Sequence, residues 1–285
     1  MAQILDGKIV GAHVRAELAD KIAKHRESHG TEPGLTVILV GDDPASAIYV
    51  ASKEKACHEV GIRSHTVRLA QTVRTDDVVM AVEKANQDPT VDGILVQMPL
   101  PPQVDTTRVL AALDPTKDVD GLTTYNQGLL AGGLPGLYPC TPKGVLRLLD
   151  YYGIPVRGQR ALVLGRSTLV GRPVGLLLLG RDATVTWGHS QTRDLPALVS
   201  EAEILVAAIG RPGLIQGDWI RREAVVVDVG INRQGPKKVV GDVDFLAAKS
   251  RASWITPVPG GVGLMTVAML LENTWQAFVH HDDAR

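Results

Sequence analysis

An α/β fold, in two domains or in one large one, is the structure that this sequence predicts. The chain has 285 residues, about twice the size of a typical domain. Patterns of buried strands alternate with helical patterns in two separate series, which is typical of parallel sheets with right-handed crossovers. Residues 114–142, dense in Gly, Pro, Asp and Thr, lie between the two series. A long irregular segment of this kind usually has a function or connects domains.

The first series of predicted elements begins with a helix over residues 11–25, where Val14, Leu18 and Ile22 recur at helical spacing. The β-branched run that follows, LTVILVG, is typical of a strand buried on both faces. A polar turn and the closing Gly61 bound the next helix. From that run onward, the predicted elements are strand 35–41, helix 45–60, strand 64–69, helix 75–86 and strand 92–101.

The second series follows a helix predicted over residues 143–152. Its strands are predicted at 161–165, 184–187, 204–210, 225–230 and 254–258. Helices fit between them at 173–179 and 195–201, and a final helix is predicted over 266–279.

Composition excludes several classes of protein. The formal charge is −1, whereas a general nucleic-acid binder usually carries a basic excess. The two cysteines, Cys57 and Cys140, are far apart, which argues against a disulfide framework or a cysteine-based metal site. The N-terminus lacks the pattern of a signal peptide, and no apolar stretch is long enough to span a membrane. We therefore expect a soluble cytoplasmic protein without a bound metal, a membrane or a nucleic-acid partner.

A glycine-bearing turn connects the strand at 161–165 to the helix after it. Gly165, Arg166 and Ser167 begin this turn, and the layout aims backbone N–H groups and a helix dipole at a phosphate. An ordinary βα turn that needs glycine for its geometry is the alternative. The next strand ends in His189 and Ser190 rather than in the acid that usually binds an NAD ribose. A guanidinium and a hydroxyl suit a 2′-phosphate, so NADP is favoured over NAD.

Tyr49 and Lys53 stand four residues apart and so share one helix face. A lysine beside a phenol in a partly buried cleft can serve as an acid and a base. The alternative is a solvated lysine beside a packing tyrosine. Short-chain dehydrogenases also use a YxxxK pair, but they place it after their nucleotide loop, whereas here it precedes that loop.

Other polar features are candidates for ligand binding. Gln97 ends a predicted buried strand, where open α/β sheets bind ligands. Asp118 and Asp120 lie in the irregular segment, and Asp120 is the candidate for binding a polar heterocycle, with turn capping as the alternative. The glycine-rich run at 257–263 has backbone that can approach a flat ligand closely. Within this run, the candidate substrate-binding residues are Pro259, Gly260 and Gly261.

Taken together and in order, these motifs resemble those of the bifunctional methylenetetrahydrofolate dehydrogenase/cyclohydrolase family. The matching segments are YVASK (49–53), GILVQMPLP (93–101), DPTKDVDG (114–121), PCTPKG (139–144), GRSTLVGRP (165–173), HSQT (189–192) and TPVPGGVGLMT (256–266). The resemblance implies two α/β domains flanking a cleft, the C-terminal one a Rossmann-like doubly wound parallel sheet. It assigns residues 1–140 and the helix at 264–285 to a folate-binding catalytic domain, and residues 141–263 to an NADP-binding domain. It also implies a homodimer formed through the NADP domain.

The resemblance also implies roles for single residues. Lys53 matches the catalytic lysine, Tyr49 the residue that stacks on the folate, and Gln97 the partner that positions the lysine. Asp120 matches the aspartate that binds the pterin. The residues that match NADP contacts are Gly165, Arg166, Ser167, Ser190 and Ile231, with Arg166 and Ser190 at the 2′-phosphate.

The expected activity is oxidation of 5,10-methylenetetrahydrofolate with NADP, followed by hydrolysis of the methenyl product to 10-formyltetrahydrofolate. The chain departs from the common family pattern at Leu264, at Gly188 and at residues 122–124. A dehydrogenase-only member with weakened cyclohydrolase activity is therefore the alternative. A non-catalytic NADP-binding protein on the same fold is a third hypothesis, against which Lys53, Gln97 and Asp120 argue.

Overall fold

The computed structural model describes residues 1–235 and 238–282, and it leaves out the side chains of residues 44, 45, 47 and 48. The chain divides into two compact units. The first, here called the large-sheet unit, consists of residues 1–12 and 141–266. The second, here called the small-sheet unit, consists of residues 13–140 and the C-terminal residues from 267.

The strands are short, and most belong to one of two parallel sheets. In chain order they are β1 (Gln3–Ile4), β2 (Gly34–Val40), β3 (Arg63–Leu69), β4 (Gly93–Val96), β5 (Arg160–Leu164), β6 (Thr184–Gly188), β7 (Ile204–Ala207), β8 (Val225–Asp228), β9 (Asn232–Arg233), β10 (Val239–Val240) and β11 (Trp254–Ile255).

The helices are interspersed among these strands along the chain. In chain order they are α1 (Gly7–His29), α2 (Pro44–Val60), α3 (Thr75–Gln87), α4 (Thr106–Ala112), α5 (Thr124–Ala131), α6 (Cys140–Tyr151), α7 (Gly171–Leu179), α8 (Leu195–Glu201), α9 (Phe245–Lys249) and α10 (Val262–Asp282). Among the described residues, no helix is both long enough and apolar enough to cross a membrane.

The large-sheet unit has a six-stranded parallel sheet in the order β1-β11-β8-β7-β5-β6. Strand β5 lies between β6 and β7, so the chain continues on opposite sides of β5 in its successive crossovers. In doubly wound sheets, ligands bind outside the carboxyl ends of the strands at such a reversal. The predicted Rossmann-like C-terminal sheet is thus confirmed, and its binding edge lies where β5, β6 and β7 end.

The small-sheet unit has a three-stranded parallel sheet in the order β3-β2-β4. The central strand β2 is buried along its whole length, as its unbroken apolar sequence predicts. Helix α3 covers the sheet with Val78, Val82 and Ala85, which recur on one helical face. Asp118 forms a parallel bridge with Ile94 of β4, so the chain after residue 114 runs beside this strand.

The structure differs from the sequence-based expectations in two places that bear on the site. Segment 114–142 is not irregular throughout, because it contains α5 and the first turn of α6. Helix α5 begins where the Thr123 side chain accepts a hydrogen bond from the Asn126 N–H, a capping signal inside a segment without apolar periodicity.

The second difference concerns the N-terminus. Strand β1 pairs with β11, so residues 1–12 fall in the large-sheet unit, whereas the sequence-based division assigned them to the first domain. A two-residue edge strand has no periodic signal in the sequence. The final helix starts at Val262 rather than at residue 266, and the last three residues of the predicted segment 264–285 lie outside the described residues. As a division into domains, the predicted boundaries remain a proposal.

Candidate active site

Helix α2 places Lys53 against the end of strand β4. The helix is capped at its N-terminus by Asp43, whose carboxylate accepts the Ser46 N–H at 2.8 Å. The Lys53 Nζ donates to Gln97 Oε1 at 2.8 Å, and the Gln97 Nε2 donates to the Met98 carbonyl at 2.7 Å. Because the Gln97 amide nitrogen donates its hydrogen bond to the backbone, the amide oxygen of Gln97 faces the ammonium group. The structure therefore brings together two residues that the sequence predicted to act as a pair.

Lys53 and Asp120 are close enough to affect each other's ionisation. Burial lowers the pKa of the Lys53 ammonium below its usual range, and the negative charge of Asp120 opposes this shift. Burial also raises the pKa of the Asp120 carboxyl, which the positive charge of Lys53 opposes. A lysine whose neutral form is favoured can accept a proton near neutral pH more readily than a surface lysine.

The loop that carries Asp120 is held by its neighbour Asp118. The buried Asp118 carboxylate accepts the backbone N–H groups of Leu122 at 3.1 Å and Thr123 at 2.8 Å, and the Asn126 Nδ2 at 3.0 Å. Asp118 therefore has the capping role that was the alternative for these aspartates. Asp120 does not make these contacts.

Asp120 instead hydrogen-bonds to Cys140, the first residue of α6. Both the backbone and the side chain of Cys140 contribute to these bonds. An N–H group in the first turn of a helix stabilises a carboxylate through its free donor and the helix dipole. Asn273 holds the backbone near Asp120 and Cys140, because its Nδ2 donates to the carbonyl oxygens of Val119 at 2.8 Å and Tyr138 at 2.9 Å. The fixed backbone on both sides orients the Asp120 side chain.

Tyr49 lies one helical turn before Lys53 on α2 and keeps 44% of its surface exposed. A large aromatic side chain that is this exposed leaves a ring face free to contact a ligand. The spacing on the helix places it on the side of Lys53, as the sequence predicted.

The large-sheet unit contains a cavity of about 340 Å³ at the carboxyl ends of β5, β6 and β7. Four of the predicted cofactor contacts line it, namely Gly165, Arg166, Ser167 and Ser190. The remaining lining residues are Leu164, Gly188, His189, Leu195, Ala208, Ile209, Arg211 and Leu214. The cavity thus lies at the place where doubly wound sheets bind dinucleotides.

The turn after β5 requires glycine because backbone atoms pack against it. Gly165 has φ of +123°, and a Cβ there would lie 2.2 Å from the Ala208 carbonyl oxygen. A Cβ on Gly171 would lie 2.3 Å from the Gly165 carbonyl oxygen, so α7 starts directly against the turn. Ser167 Oγ accepts the N–H groups of Val170 at 3.2 Å and Gly171 at 3.3 Å. This close backbone approach at a helix N-terminus suits a phosphate group.

The loop after β6 supports the choice of a phosphorylated cofactor. The His189 N–H donates to Thr192 Oγ1 at 2.8 Å, and the Gln191 N–H donates to His189 Nδ1 at 3.2 Å, which holds Ser190 in a tight turn. Of the described residues, those lining the cavity include Arg166 and Arg211 and no aspartate or glutamate. A ribose 2′-phosphate fits a cavity of this charge, whereas the usual NAD site presents an acid to the ribose hydroxyl.

Four other predicted site residues are not among those described above. Ile231 is not among the residues lining the cavity, and 51% of its surface is exposed. Pro259, Gly260 and Gly261 belong to the large-sheet unit, where the Gly260 carbonyl accepts the Gly7 N–H at 2.9 Å. Their roles in binding stay predictions.

Two residues of the site were missed from the sequence. Cys140 was given no role of its own, although it is the first residue of a helix whose N-terminus hydrogen-bonds to Asp120. Arg211 follows the buried strand β7 and lines the cofactor cavity. Gln97 was predicted as a site residue because it is a polar residue just beyond a buried strand. Arg211 fits the same description.

The departures from the common family pattern fit the local packing. At Gly188, a Cβ would lie 2.5 Å from Leu164 Cδ2, so the leucine side chain fills that space. Leu122 and Thr123 donate their N–H groups to Asp118, and Thr123 also caps α5. Leu264 lies in the first turn of α10 with 43% of its surface exposed.

Comparison with known proteins covers nearly the whole chain. Residues 5–120 match the model described as "Tetrahydrofolate dehydrogenase/cyclohydrolase, catalytic domain", and residues 139–282 match that of the "NAD(P)-binding domain" of the same family. The bifunctional protein FolD of Pelobacter propionicus is 52% identical over 277 residues, covering 97% of this chain and 98% of that protein.

Solved structures agree with the sequence matches. The bifunctional FolD methylenetetrahydrofolate dehydrogenase/cyclohydrolase of Campylobacter jejuni superposes with a TM-score of 0.96 at 43% identity, covering 98% of this chain and 99% of that one. The N5,N10-methylenetetrahydrofolate dehydrogenase-cyclohydrolase of Trypanosoma brucei, solved with NADP cofactor and an inhibitor, gives a TM-score of 0.94 at 39% identity over 98% of each chain.

Proposed function

Because the chain belongs to the tetrahydrofolate dehydrogenase/cyclohydrolase family, we propose that it catalyses both reactions of that family. It oxidises 5,10-methylenetetrahydrofolate to the 5,10-methenyl form with NADP, and it hydrolyses the methenyl form to 10-formyltetrahydrofolate. The protein is thus a bifunctional enzyme of one-carbon metabolism that interconverts tetrahydrofolate derivatives. Similarity over the full length of bifunctional relatives supports both activities.

The hydrogen bond between Lys53 and Gln97 is the observation that carries this proposal. It fixes an amine whose pKa burial lowers, at the end of a buried strand. Hydrolysis of the methenyl group needs a base for the attacking water and an acid for the leaving ring nitrogen. Neutral Lys53 accepts the proton as water adds to the methenyl carbon. The ammonium that results donates a proton to the nitrogen as the carbon–nitrogen bond breaks, and the hydroxyl group of the adduct releases its proton to water as the formyl C=O bond forms.

Gln97 acts through the lysine. Its amide oxygen accepts a hydrogen bond from the ammonium or from the neutral amine, so Lys53 stays in one place in both forms. This constancy lets one side chain serve as base and then as acid.

In the dehydrogenase reaction, NADP supplies the hydride acceptor when it is bound. The chain's own contribution is the cavity of the large-sheet unit. The glycine turn at Gly165 and the start of α7 receive the phosphates, and Arg166 with Ser190 binds the 2′-phosphate. Ile231 is a further cofactor contact that the family resemblance supports.

The folate contacts are assigned from the chemical groups of the candidate side chains and from the exposure of Tyr49. Tyr49 stacks on the folate through its exposed ring. Asp120 accepts hydrogen bonds from the paired amino and ring N–H groups of the pterin. Pro259, Gly260 and Gly261 supply backbone that lies against the substrate, which their glycine content supports.

The partners and the location of the enzyme follow from its class and composition. We infer a homodimer formed through the NADP domain, which the family resemblance supports. Both cysteines are buried and neither forms a disulfide within the described residues, which suits a reducing compartment, and the proposed location is the cytoplasm. The net charge of −1 supports a protein without a nucleic-acid or membrane partner.

An absorbance assay at two wavelengths tests the two activities together. Purified protein is mixed with 5,10-methylenetetrahydrofolate and NADP, and NADPH and methenyltetrahydrofolate are followed separately. The bifunctional enzyme forms NADPH while the methenyl product stays low. Methenyl product that accumulates and persists would indicate the dehydrogenase-only alternative. No NADPH at all would overturn the proposal in favour of a non-catalytic protein.

A further inference from the structure

The cofactor cavity is lined by a second arginine besides Arg166. Arg211 lines the cavity together with Arg166 and Ser190, although it lies beyond a different strand. The cavity spans the ends of β6, β5 and β7, so Ser190 and Arg211 border it from the two sides of β5. Among the described residues, neither arginine forms an ion pair with an acid. Two arginines without an acidic partner among the described residues therefore line the same cavity.

The backbone that carries Arg211 is held by the fully buried carboxylate of Asp242. This carboxylate accepts the N–H groups of Ile209 at 2.6 Å, Gly210 at 2.9 Å and Arg211 at 2.9 Å. It also accepts the Asn232 Nδ2 at 2.8 Å. Charge-assisted bonds to three successive N–H groups fix the direction in which the loop leaves β7. The start of the Arg211 side chain is therefore set before any ligand binds.

A second buried carboxylate, that of Asp228, holds the backbone of Asp242 in place. Asp228, at the end of β8, accepts the N–H groups of Gly230 at 2.9 Å, Asp242 at 3.0 Å and Val243 at 2.9 Å. Both carboxylates thus accept hydrogen bonds from the backbone of the loops that follow β7, β8 and β10. They are the buried acids nearest in sequence to these loops, and they bind N–H groups rather than the guanidinium of Arg211.

We propose that Arg211 is a specificity-determining residue that binds the 2′-phosphate of NADP together with Arg166. This inference rests on the proposed function, since it concerns the cofactor of that reaction. The 2′-phosphate adds about −1.5 to −2 charges near neutral pH, which one guanidinium neutralises only in part. The pyrophosphate has the glycine turn and the N-terminus of α7 as its partners. Arg211 therefore increases the preference for NADP over NAD rather than the affinity for both.

The test compares the affinities for NADP and NAD across matched arginine variants. Dissociation constants are measured by calorimetry for the wild type, Arg211→Gln, Arg166→Gln and Arg222→Gln. Arg222 is an exposed arginine of the same unit that does not line this cavity, so its variant makes the same charge change elsewhere. We expect Arg211→Gln to weaken NADP binding about tenfold or more, and NAD binding less than about threefold. Arg166→Gln shows the same pattern, and Arg222→Gln leaves both constants unchanged.

Equal weakening of NADP and NAD by Arg211→Gln would overturn the proposal, because the contact would then be to a part common to both cofactors. Unchanged binding of both cofactors would overturn it as well. Arg211→Lys, which keeps the charge but loses the planar fork, is measured alongside and should lie between the wild type and Arg211→Gln. It also serves as the test if the glutamine variant does not fold. Failure of the proposed function is distinguishable, because it would show as no NADPH formation by the wild type in the two-wavelength assay, independently of the dissociation constants of the arginine variants.

Discussion

At the scale of single residues, the chemistry of the site depends on an amine and a carboxyl group in one partly buried place. Burial favours the neutral form of each, while their opposite charges favour the ionised forms. For Lys53 the effect of burial is larger, so its pKa is lowered. Gln97 holds the amine by a neutral hydrogen bond and adds no charge. Lys53 can therefore exchange a proton in a pH range where surface lysines stay charged.

The lowered pKa of Lys53 predicts the pH dependence of hydrolysis. Only the neutral amine can accept a proton from water, so kcat/KM for methenyltetrahydrofolate should rise with pH through the pKa of Lys53. The midpoint should lie below the usual lysine range. In Asp120→Asn the charge that raises this pKa is gone, so the midpoint should move to lower pH. A pH–rate profile of each protein, corrected for the uncatalysed rate, checks this. A midpoint that moves upward would contradict it.

Asp120→Asn also tests the pterin contact. The substitution keeps one acceptor oxygen for the Cys140 N–H, but it turns an NH₂ group towards the donor edge of the pterin. A mismatched buried polar pair costs about 1–3 kcal/mol, which is roughly tenfold or more in affinity. We expect both activities to fall, with NADP affinity and melting temperature nearly unchanged. Near-normal folate kinetics in the folded variant would instead leave Asp120 as a residue that only supports the start of α6.

At the scale of elements, the nucleotide site depends on how closely backbone segments approach one another. The turn after β5 lies against the Ala208 carbonyl beyond β7, and α7 starts against the turn itself. Neither approach leaves room for a side chain at Gly165 or Gly171. The cavity keeps its shape because these contacts are between backbone atoms, which cannot move aside as a flexible side chain could.

Two glycine substitutions should therefore have opposite effects on stability. Gly165→Ala places a Cβ 2.2 Å from the Ala208 carbonyl oxygen at a positive φ, so we expect a loss of about 2 kcal/mol or more and weakened NADP binding. For Gly128→Ala, in α5, the added Cβ has no described atom within 4 Å apart from its chain neighbours and the backbone of its own helix, so the change should stabilise the protein by about 0.5–1 kcal/mol. Urea unfolding measures both. A stable Gly165→Ala variant with normal NADP affinity would contradict this description of the turn.

The elements that the sequence predicted are those with a strong periodic or continuous apolar signal. Strand β2 and helix α3 lie within one or two residues of their predicted bounds. Helix α5 has its signal in the Thr123 cap, because two glycines follow closely and no apolar stripe marks it. Strand β1 forms only through pairing with β11, a contact between distant parts of the chain that local sequence does not encode.

At the scale of the whole molecule, the candidate residues divide between the two compact units. Lys53, Gln97 and Asp120 belong to the small-sheet unit, and the cofactor cavity belongs to the large-sheet unit. The order of motifs along the chain predicted this division, because the Lys53 site motifs lie with the first series of predicted elements and the cofactor motifs lie with the second. Cys140 was missed because its role arises from a tertiary contact with Asp120, whereas Arg211 follows a predicted buried strand and could have been chosen on the same ground as Gln97.

The claim that Lys53 is the acid and base of the hydrolytic reaction is tested most directly by the rate at which Lys53→Met hydrolyses methenyltetrahydrofolate. Lys55→Met is the matched control, because Lys55 lies on the same helix with 79% of its side chain exposed. We expect hydrolysis to fall to the uncatalysed rate in Lys53→Met while the variant still binds folate, and to stay at the wild-type rate in Lys55→Met. A folded Lys53→Met enzyme that hydrolyses the substrate at the wild-type rate would contradict the account.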